Sequence, residues 1–429
     1  MKGVRFWHMR LAWSCLAVLL IGLPFLGTSP GYCGAPSEIS FMHTGHFVPA
    51  FEQEIRKQME VWGKQKGVAV RADFVSGTEF DAKLVSEAET RTGHDVVAIR
   101  LYDAALYQDS LADQDALATE LGAQHGGWLP IAQESSYFGG HWKAVPFYHQ
   151  SEPAVYRTDL FQQIGLTREQ VHALTWDRFL DAAKKLHALG KPVAFAISQT
   201  PDSECALYPL LWAFGSSTVD KAGKVVINSP QTAKAIEYVK ELAKYMPREV
   251  LGWDDASNNR FMLAGEGSYT FNPPSIWVLA ERDVPALKGK LDHAPMPAGP
   301  AGRFRNTLSF YLATWKFKAS PLANDLIRFL MSPENYRAQV EASGGFNQPL
   351  LKGYQALPIW RTNLPLNAYE PVPERLALQG WPGPPEKAAA AQKAWVTHLV
   401  PVMFAKAVTG TPTAEAMRWA EEELKQLYR

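Results

Sequence analysis

Segments with the hydrophobic pattern of strands alternate with helical segments along most of the chain, and this alternation restricts the fold more than any other feature. Residues 37–47 begin with a strand pattern, and residues 51–67 carry apolar residues at helical spacing. "VAVRADFV" (68–75), "DAKLVSEAETRTG" (81–93) and "HDVVAIR" (94–100) continue as strand, helix and strand. Because this order is typical of parallel strands joined by crossover helices, we expect an α/β fold.

The same order recurs further along the chain. Residues 174–190 have an apolar stripe at helical spacing, and the strand-like "KPVAFAI" (191–197) follows. Residues 229–245 open with Ser-Pro, a capping residue followed by proline at the first helical position. Two amphipathic helices are predicted at the end, whereas residues 349–385 are rich in proline and lack periodicity.

Composition restricts the partners of this chain. Its 429 residues are enough for two or more domains, and 43 basic residues balance 43 acidic ones. A chain without net charge or a basic stripe is not expected to bind nucleic acid. The 14 Trp, 15 Tyr and 21 Phe are a high aromatic content; such residues fill cores, but they also form flat binding surfaces.

The start of the chain predicts export. Residues 1–35 combine a basic beginning, an apolar run over 11–27 and a small-residue end, as a signal peptide does. A permanent membrane anchor is the alternative, but Pro24 interrupts the apolar run. We therefore expect a periplasmic protein; the cleavage site and a tethered or free mature form stay open. Only Cys33 and Cys205 remain to form a disulfide, and the sequence leaves their pairing open.

Motifs for catalysis or metal binding are weak. "GTSPG" (27–31) lies in the leader, and "HTGH" (43–46) lacks a third nearby metal ligand. "DASNNRFMLAGE" (255–266) has Arg260 where a calcium loop needs glycine. No cofactor, metal or catalytic residue is therefore predicted. Two scattered carboxylates would suffice for a glycosidase, so a secreted carbohydrate-active hydrolase is the alternative.

Several predicted loops mix aromatic rings with polar side chains. "WDDASNNR" (253–260) places a Trp beside two carboxylates, two amides and a guanidinium. "VPFY" (145–148), "YTFNPPSIW" (269–277) and "GGFNQP" (344–349) have a similar mixture. A sugar offers an apolar face for a ring and hydroxyls for polar groups. These loops therefore favour a neutral, hydroxylated ligand.

Longer blocks resemble the periplasmic solute-binding proteins of ABC-type sugar importers. The blocks are "GGHWKAVPFYHQSEPAVYRTDLFQQIGLTREQVHALTWDRFLDAAKKL" (139–186), "FMLAGEGSYTFNPPSIW" (261–277), "PMPAGPAG" (295–302) and the stretch from "ATWKFKASPLANDLIRFLMSPENY" to "GGFNQPL" (313–350). Two departures lie beside the expected cleft and leave the ligand's identity open. Ser309, Phe310 and Tyr311 replace paired glycines, and Tyr269 and Thr270 replace smaller residues or methionine.

The resemblance implies a two-lobed periplasmic-binding-protein fold of type II, with the ligand in a cleft between the lobes. One lobe would hold residues 36–146 and 308–340, and the other residues 150–295 and 345–429. The crossovers between them would lie near residues 147–156, near 296–310 and after 345.

Applied to this sequence, the resemblance places the 253–260 segment at the mouth of the cleft. Trp253 and Tyr148 would stack on a sugar ring. The predicted hydroxyl partners are Asp254, Asp255, Asn258, Asn259 and Arg260, although Asp254 or Ser257 would serve equally well as a helix cap. Further candidates are His46, Asn272, Phe310 and Tyr311.

The sequence thus predicts a monomeric, non-enzymatic receptor that captures a carbohydrate by hinge closure and delivers it to a membrane permease. A receptor for another polar solute, such as a polyol, a phosphodiester or a metal chelate, is a further alternative. The sequence identifies neither the sugar nor the permease.

Overall fold

Helices and strands alternate over the first part of the chain in the computed structural model, which describes residues 38–362 and 375–429. The strand predicted at 191–197 is not formed, and only an isolated bridge joins Val193 to Tyr269 there. The strands are β1 (Glu38–Thr44), β2 (Ala69–Val75), β3 (Val96–Arg100), β4 (Tyr137–Phe138), β5 (His141–Trp142), β6 (Val145–Ser151), β7 (Ala154–Arg157), β8 (Tyr269–Phe271), β9 (Leu291–Ala294), β10 (Phe304–Ala313), β11 (Gln348–Pro349) and β12 (Arg375–Ala377).

The helices carry most of the remaining chain. They are α1 (Pro49–Lys66), α2 (Gly77–Thr90), α3 (Asp103–Leu106), α4 (Asp115–Gln124), α5 (Pro130–Ser136), α6 (Thr158–Gln163), α7 (Arg168–His172), α8 (Trp176–Ala188), α9 (Pro201–Ala213), α10 (Pro230–Ala243), α11 (Ser257–Leu263), α12 (Ser275–Asp283), α13 (Pro321–Leu330), α14 (Pro333–Ala342), α15 (Ile359–Thr362), α16 (Ala388–Val396), α17 (Leu399–Val408) and α18 (Thr413–Leu427). Short 3-10 helices cover Arg248–Gly252, Lys352–Tyr354 and Pro385–Lys387.

Two main sheets organise these elements, and β4 and β5 form a separate antiparallel pair. The larger sheet has the order β11-β6-β10-β3-β1-β2, and β12 pairs with β10. Its β1 is parallel to β2 and β3, as the alternating sequence pattern predicts. Strand β10 runs antiparallel to both β3 and β6, so the sheet is mixed rather than parallel throughout. The smaller sheet has the order β8-β7-β9 and is antiparallel.

The chain passes directly from one sheet to the other at two described places. Only Glu152 and Pro153 separate β6 in the larger sheet from β7 in the smaller one. Residues 295–303 lead back from β9 to β10. These stretches coincide with two of the predicted crossovers, while the bounds of the lobes stay predictions.

The larger sheet has apolar packing on both faces, because consecutive strand residues point in opposite directions. In β3, Val96 and Ala98 pack in the cluster that includes α1, α13 and α14, whereas Val97 and Ile99 pack in the other cluster. The same alternation separates Phe310 from Tyr311 in β10. A strand buried on both faces accounts for the nearly continuous apolar run in "DVVAIR".

Some sequence predictions fall outside the described residues. The predicted signal peptide, residues 1–35, and Cys33 are among them, as is part of the proline-rich stretch, residues 363–374. Cys205 lies in α9 as a buried free thiol. Within residues 38–362 and 375–429, no helix is long and apolar enough to cross a membrane.

Replacing Leu326 in α13 with Ala is expected to lower the free energy of unfolding by about 2 to 5 kcal/mol, because its fully buried side chain leaves a cavity. Urea denaturation measures the change. The matched variant Leu189→Ala removes the same atoms from a side chain that is 41% exposed, and it should change the free energy by less than about 0.5 kcal/mol. Equal losses in the two variants would contradict the assigned core.

Candidate ligand-binding site

A cavity of about 100 Å³ lies where elements from both sheets meet. From the larger sheet, the lining includes residues 44–47 after β1, Arg100 at the end of β3, and residues of β6 and β10. From the other side it includes the start of α9, Asp255, and Asn272 and Pro273 after β8. The carboxyl ends of parallel strands are a common place for ligands in α/β folds, because the loops there converge.

Aromatic rings form one wall of this cavity. Phe47, Phe310 and Phe346 contribute to the lining. The side chain of Phe47 is 39% exposed although it is large and apolar, and its ring centroid lies 6.5 Å from that of Phe346. An exposed ring beside a cavity offers an apolar face to a ligand.

His46 connects this wall to a hydrogen-bond network. The Val48 backbone N–H donates to His46 Nδ1 at 3.0 Å, so Nε2 carries the proton and donates to Asn347 Oδ1 at 3.0 Å. Gln150 Nε2 donates to the same oxygen at 2.9 Å. Burial lowers the pKa of His46 to about 4, so the ring is neutral at physiological pH.

Carboxyl groups form another part of the lining. Glu152 from the β6–β7 connection, Asp202 from the first turn of α9 and Asp255 line the cavity together. Burial raises the pKa of Glu152 to about 8 and raises the pKa values of Asp202 and Asp255 as well. Glu152 Oε2 and Asp202 Oδ2 are buried and have no hydrogen-bond partner within the described residues. A ligand that donates hydrogen bonds to these oxygens would remove the cost of leaving them unsatisfied.

Arg100 is the one guanidinium in the described lining, and its charge is already compensated. Its Nη2 donates to Asp81, and Asp103 lies close enough to attract it. Burial opposes the charged form, but these two carboxylates raise the pKa of Arg100. Asp103 in turn accepts hydrogen bonds from the Arg100 backbone N–H at 2.8 Å and from Gln392 Nε2 at 2.7 Å. Arg100 therefore acts as a fixed part of the cavity floor.

The structure brings four of the predicted site residues to the cavity. They are His46, Asp255, Asn272 and Phe310. The 253–260 segment thus reaches the cavity through one residue, Asp255. Whether any of them contacts a ligand stays a prediction.

Other residues of the 253–260 segment have local roles instead. Asp254 Oδ1 accepts hydrogen bonds from Ser257 Oγ at 2.7 Å and from Arg260 Nη2 at 2.7 Å, on the exposed side of α11. The helix cap predicted for Asp254 or Ser257 is not formed, because Ala256 precedes α11 and no side chain caps it; Asp254 Oδ1 accepts the Ala256 backbone N–H at 3.1 Å instead. Trp253 is half-buried and packs on Phe261, with ring centroids 5.3 Å apart. These three side chains are not part of the described lining of the cavity.

The two amides on α11 point inward. Asn258 Nδ2 donates to Asn272 Oδ1 at 3.1 Å, and Asn259 Nδ2 donates to Ser275 Oγ at 3.1 Å. Both residues are buried behind the cavity rather than on it. Asn258 therefore positions a lining residue, Asn272, instead of facing the cavity itself.

Tyr148 and Tyr311 lie in the core, which corrects their predicted exposure to a ligand. Tyr148 is fully buried, and its hydroxyl lies 2.7 Å from His43 Nε2. Tyr311 is also fully buried and is hydrogen-bonded to Ser135. Since Phe310 faces the cavity side, its neighbour on the strand must point to the opposite face. Phe310 and Tyr311 therefore cannot act as a pair.

Sequence reasoning missed several lining residues. They are Phe47, Arg100, Gln150, Glu152, Asp202 and Phe346. A signal existed for three of them. Arg100 ends a buried strand, and Asp202 follows Thr-Pro at the start of a helix, which are positions where α/β folds expose side chains to a shared edge. Phe346 also lies in the loop "GGFNQP" whose composition favours a ligand, whereas Phe47, Gln150 and Glu152 became recognisable only when distant segments met.

A larger groove of about 450 Å³ lies beside β7, α6 and α12, away from this cavity. Its charged groups are paired with each other: Arg168 Nε donates to Asp292 Oδ2 at 2.7 Å. Glu281 Oε1 accepts the Gly289 backbone N–H at 2.7 Å. Because these groups are already satisfied, the smaller cavity is the stronger candidate site. Among the described residues, no group of three or more His, Cys, Asp or Glu side chains is arranged to hold a metal ion.

Known structures identify the fold. The chain superposes on maltose-bound MalE3 of T. maritima with a TM-score of 0.79 and 24% identity, covering 91% of this chain and 100% of that one. The fold is therefore the two-lobed α/β fold of periplasmic binding proteins, with a cleft between the lobes.

Sequence comparisons agree. Residues 56–366 match the family model described as bacterial extracellular solute-binding protein, and the chain belongs to that family. It is 25% identical over 305 residues to a probable ABC transporter-binding protein of Deinococcus radiodurans, covering 68% of this chain and 71% of the relative. It is also 26% identical over 201 residues to an arabinooligosaccharide-binding protein of Bacillus subtilis, covering 45% of each.

Replacing Glu152 with Gln is expected to raise the melting temperature, and the gain should grow from pH 5 to pH 8. The pKa of Glu152 is about 8 in the folded protein and ordinarily 4.5. Its contribution to stability is therefore fully present below pH 4.5 and is lost as the pH rises through 8.

Melting curves at pH 5, 6, 7 and 8 test this expectation. Glu266→Gln, at an exposed carboxylate, should show no such trend. A gain in melting temperature for Glu152→Gln that stays constant across these pH values would contradict the raised pKa that burial gives this carboxyl group.

Proposed function

We propose that this protein is the solute-binding component of an ABC transporter that captures a carbohydrate in the cavity and delivers it to a membrane permease. One observation carries the proposal: aromatic rings, carboxyl groups and amides line one cavity to which elements of both sheets contribute. The family membership and the arabinooligosaccharide-binding relative support the same class of ligand.

The two walls match the two surfaces of a sugar. The exposed ring of Phe47 would pack on the C–H face, while Glu152, Asp202 and Asn272 would bind hydroxyls. A hydroxyl donates and accepts, so both protonated and ionised carboxyl groups suit it. The buried oxygens without partners gain the most from such a donor.

Ligand capture would close the cleft. A ligand that touches Phe47 on one side and Asp255 on the other gains contacts only when both sides approach it, so it stabilises the closed state. The lobes proposed to move are residues 36–146 with 308–340, and residues 150–295 with 345–429. The two-residue β6–β7 connection is a suitable hinge.

Export and assembly complete the proposal. The family is extracellular, and the leader-like residues 1–35 are proposed to direct the chain to the periplasm. The receptor would act as a monomer that docks on the permease after closure.

A specific observation keeps a hydrolase as the second candidate. Glu152, Asp202 and Asp255 face one cavity, and the raised pKa values of these carboxyl groups suit a general acid. The family consists of binding proteins, which favours the receptor. A phosphodiester is disfavoured because an anion would meet these carboxyl groups.

Titration with mono- and oligosaccharides and polyols, followed by thermal shift and calorimetry, should find a ligand that binds with one site per chain. Chromatography of the same mixture after overnight incubation with substoichiometric protein should recover that ligand intact. Release of more product than protein would establish the hydrolase instead. Stabilisation by polyols but by no saccharide would redirect the proposal to a polyol receptor.

Removing the exposed ring by Phe47→Ala should weaken binding of that ligand about five- to tenfold, which corresponds to about 1 to 1.4 kcal/mol. Calorimetry measures the loss. Tyr137→Ala removes an aromatic side chain of similar exposure, 37%, outside the described cavity lining and should leave affinity unchanged.

Trp253→Ala belongs in the same series. A large loss with Trp253→Ala and none with Phe47→Ala would show that the aromatic platform is Trp253, as the sequence alone predicts. The reverse result would assign Trp253 to packing on Phe261.

A further inference from the structure

The charges that face the cavity are unbalanced. Its described lining holds three carboxyl groups, those of Glu152, Asp202 and Asp255, and one guanidinium, that of Arg100. Arg100 is ion-paired with Asp81 and also attracts Asp255, but within the described residues none of the three carboxyl groups lies within ion-pair distance of a basic side chain. The other titratable lining residue, His46, is neutral because burial lowers its pKa to about 4.

Two of these carboxyl groups each have a buried oxygen that accepts no hydrogen bond from a described residue. Glu152 is 4% exposed, and its Oε2 has no hydrogen bond to any described residue. Asp202 Oδ2 likewise has no hydrogen bond to any described residue. Asp202 also lies in the first turn of α9, a helix of 13 residues, whose positive end favours the ionised form.

From this arrangement we propose that the ligand carries a protonated amine besides its hydroxyl groups, so that it is an amino sugar or an aminocyclitol held by Glu152, Asp202 and Asp255. The inference rests on the proposed function and specifies its ligand. A neutral sugar offers hydrogen-bond partners to these buried carboxyl groups but no positive charge to stabilise their ionised forms, which burial disfavours. An ammonium group supplies both donors and the opposite charge.

The aromatic wall fits the same ligand. Phe47 and Phe346 line the same cavity as the carboxyl groups. The face of an aromatic ring attracts a cation as well as the apolar face of a sugar. The amine of such a ligand would supply donors to the unpartnered oxygens of Glu152 and Asp202, and its hydroxyl groups could accept from the buried Nε of Arg100, which also lacks a partner among the described residues.

Paired saccharides test the inference, because the members of each set differ only at the amine. One set is glucosamine, N-acetylglucosamine and glucose; a second is deacetylated chitobiose, diacetylchitobiose and cellobiose; a third is deoxynojirimycin and 1,5-anhydroglucitol. We expect at least one free amine to bind about tenfold more tightly than its neutral partners by calorimetry at pH 7. Repeating the titration in buffers of different ionisation enthalpy should show proton release, since the cation displaces protons from the carboxyl groups.

The variants Glu152→Gln and Asp202→Asn should each remove most of the preference for the amine while retaining binding of the neutral partner. Asp181→Asn, at an exposed carboxylate on α8, should retain the preference. Proton release is measured on the wild-type protein, so it tests the inference even where a variant does not fold. Binding of an amine without proton release would contradict the inference.

The outcomes separate this inference from the proposed function. Neutral saccharides that bind as tightly as their amines would overturn the inference and leave a carbohydrate receptor standing. Putrescine binding as tightly as any aminated saccharide would also overturn it, since the sugar would then contribute nothing. Failure of every saccharide to bind would count against the inference and the proposed function together.

Discussion

The short connection between β6 and β7 determines where this protein has its cavity. Ser151 pairs with Thr307 in the larger sheet, and Ala154, three residues later, pairs with Phe271 and Ala294 in the smaller one. The two sheets are therefore held close at this point. Glu152, which lies on the connection itself, faces the cavity that opens beside it.

Much of the remaining site chemistry follows from this closeness. Carboxyl groups from the connection, from α9 and from the segment before α11 are brought into one enclosed space. Burial there disfavours their ionised forms, and their pKa values rise. The buried Asn258 donates a hydrogen bond to Asn272 Oδ1 and so restricts the position of this lining residue. Groups that are fixed before binding lose less entropy when a ligand arrives.

The sequence predicted the class of fold because the patterns that indicate helices and strands depend on residues close together in the chain. Alternating strand and helix patterns, Ser-Pro helix starts and the long family-like blocks depend on neighbouring residues, and β1 to β3 appear as expected. The prediction for β10 was less complete. A hydrophobic run predicts a strand but not the direction in which that strand runs in the sheet. The antiparallel pairing of β10 with β3 and β6 was therefore seen only in the structure.

The site was predicted less well, because a cavity is assembled by residues far apart in sequence. The composition of the 253–260 segment indicated binding, yet only Asp255 reaches the cavity, and Asp254, Ser257 and Arg260 are hydrogen-bonded to one another instead. Tyr311 was misplaced because its side of the strand depends on register. Phe47 carried no signal of its own: it gains a role only because Phe346, almost 300 residues away in sequence, lies next to it.

A crystal structure with the ligand found by calorimetry tests the central claim most directly. The account predicts one intact hydroxylated molecule in the cavity, packed on Phe47 and hydrogen-bonded to Glu152, Asp202 or Asp255, so that residues from both sheets contact it at once. A ligand bound in the groove beside Trp277, or in contact with one side of the cavity only, would contradict it.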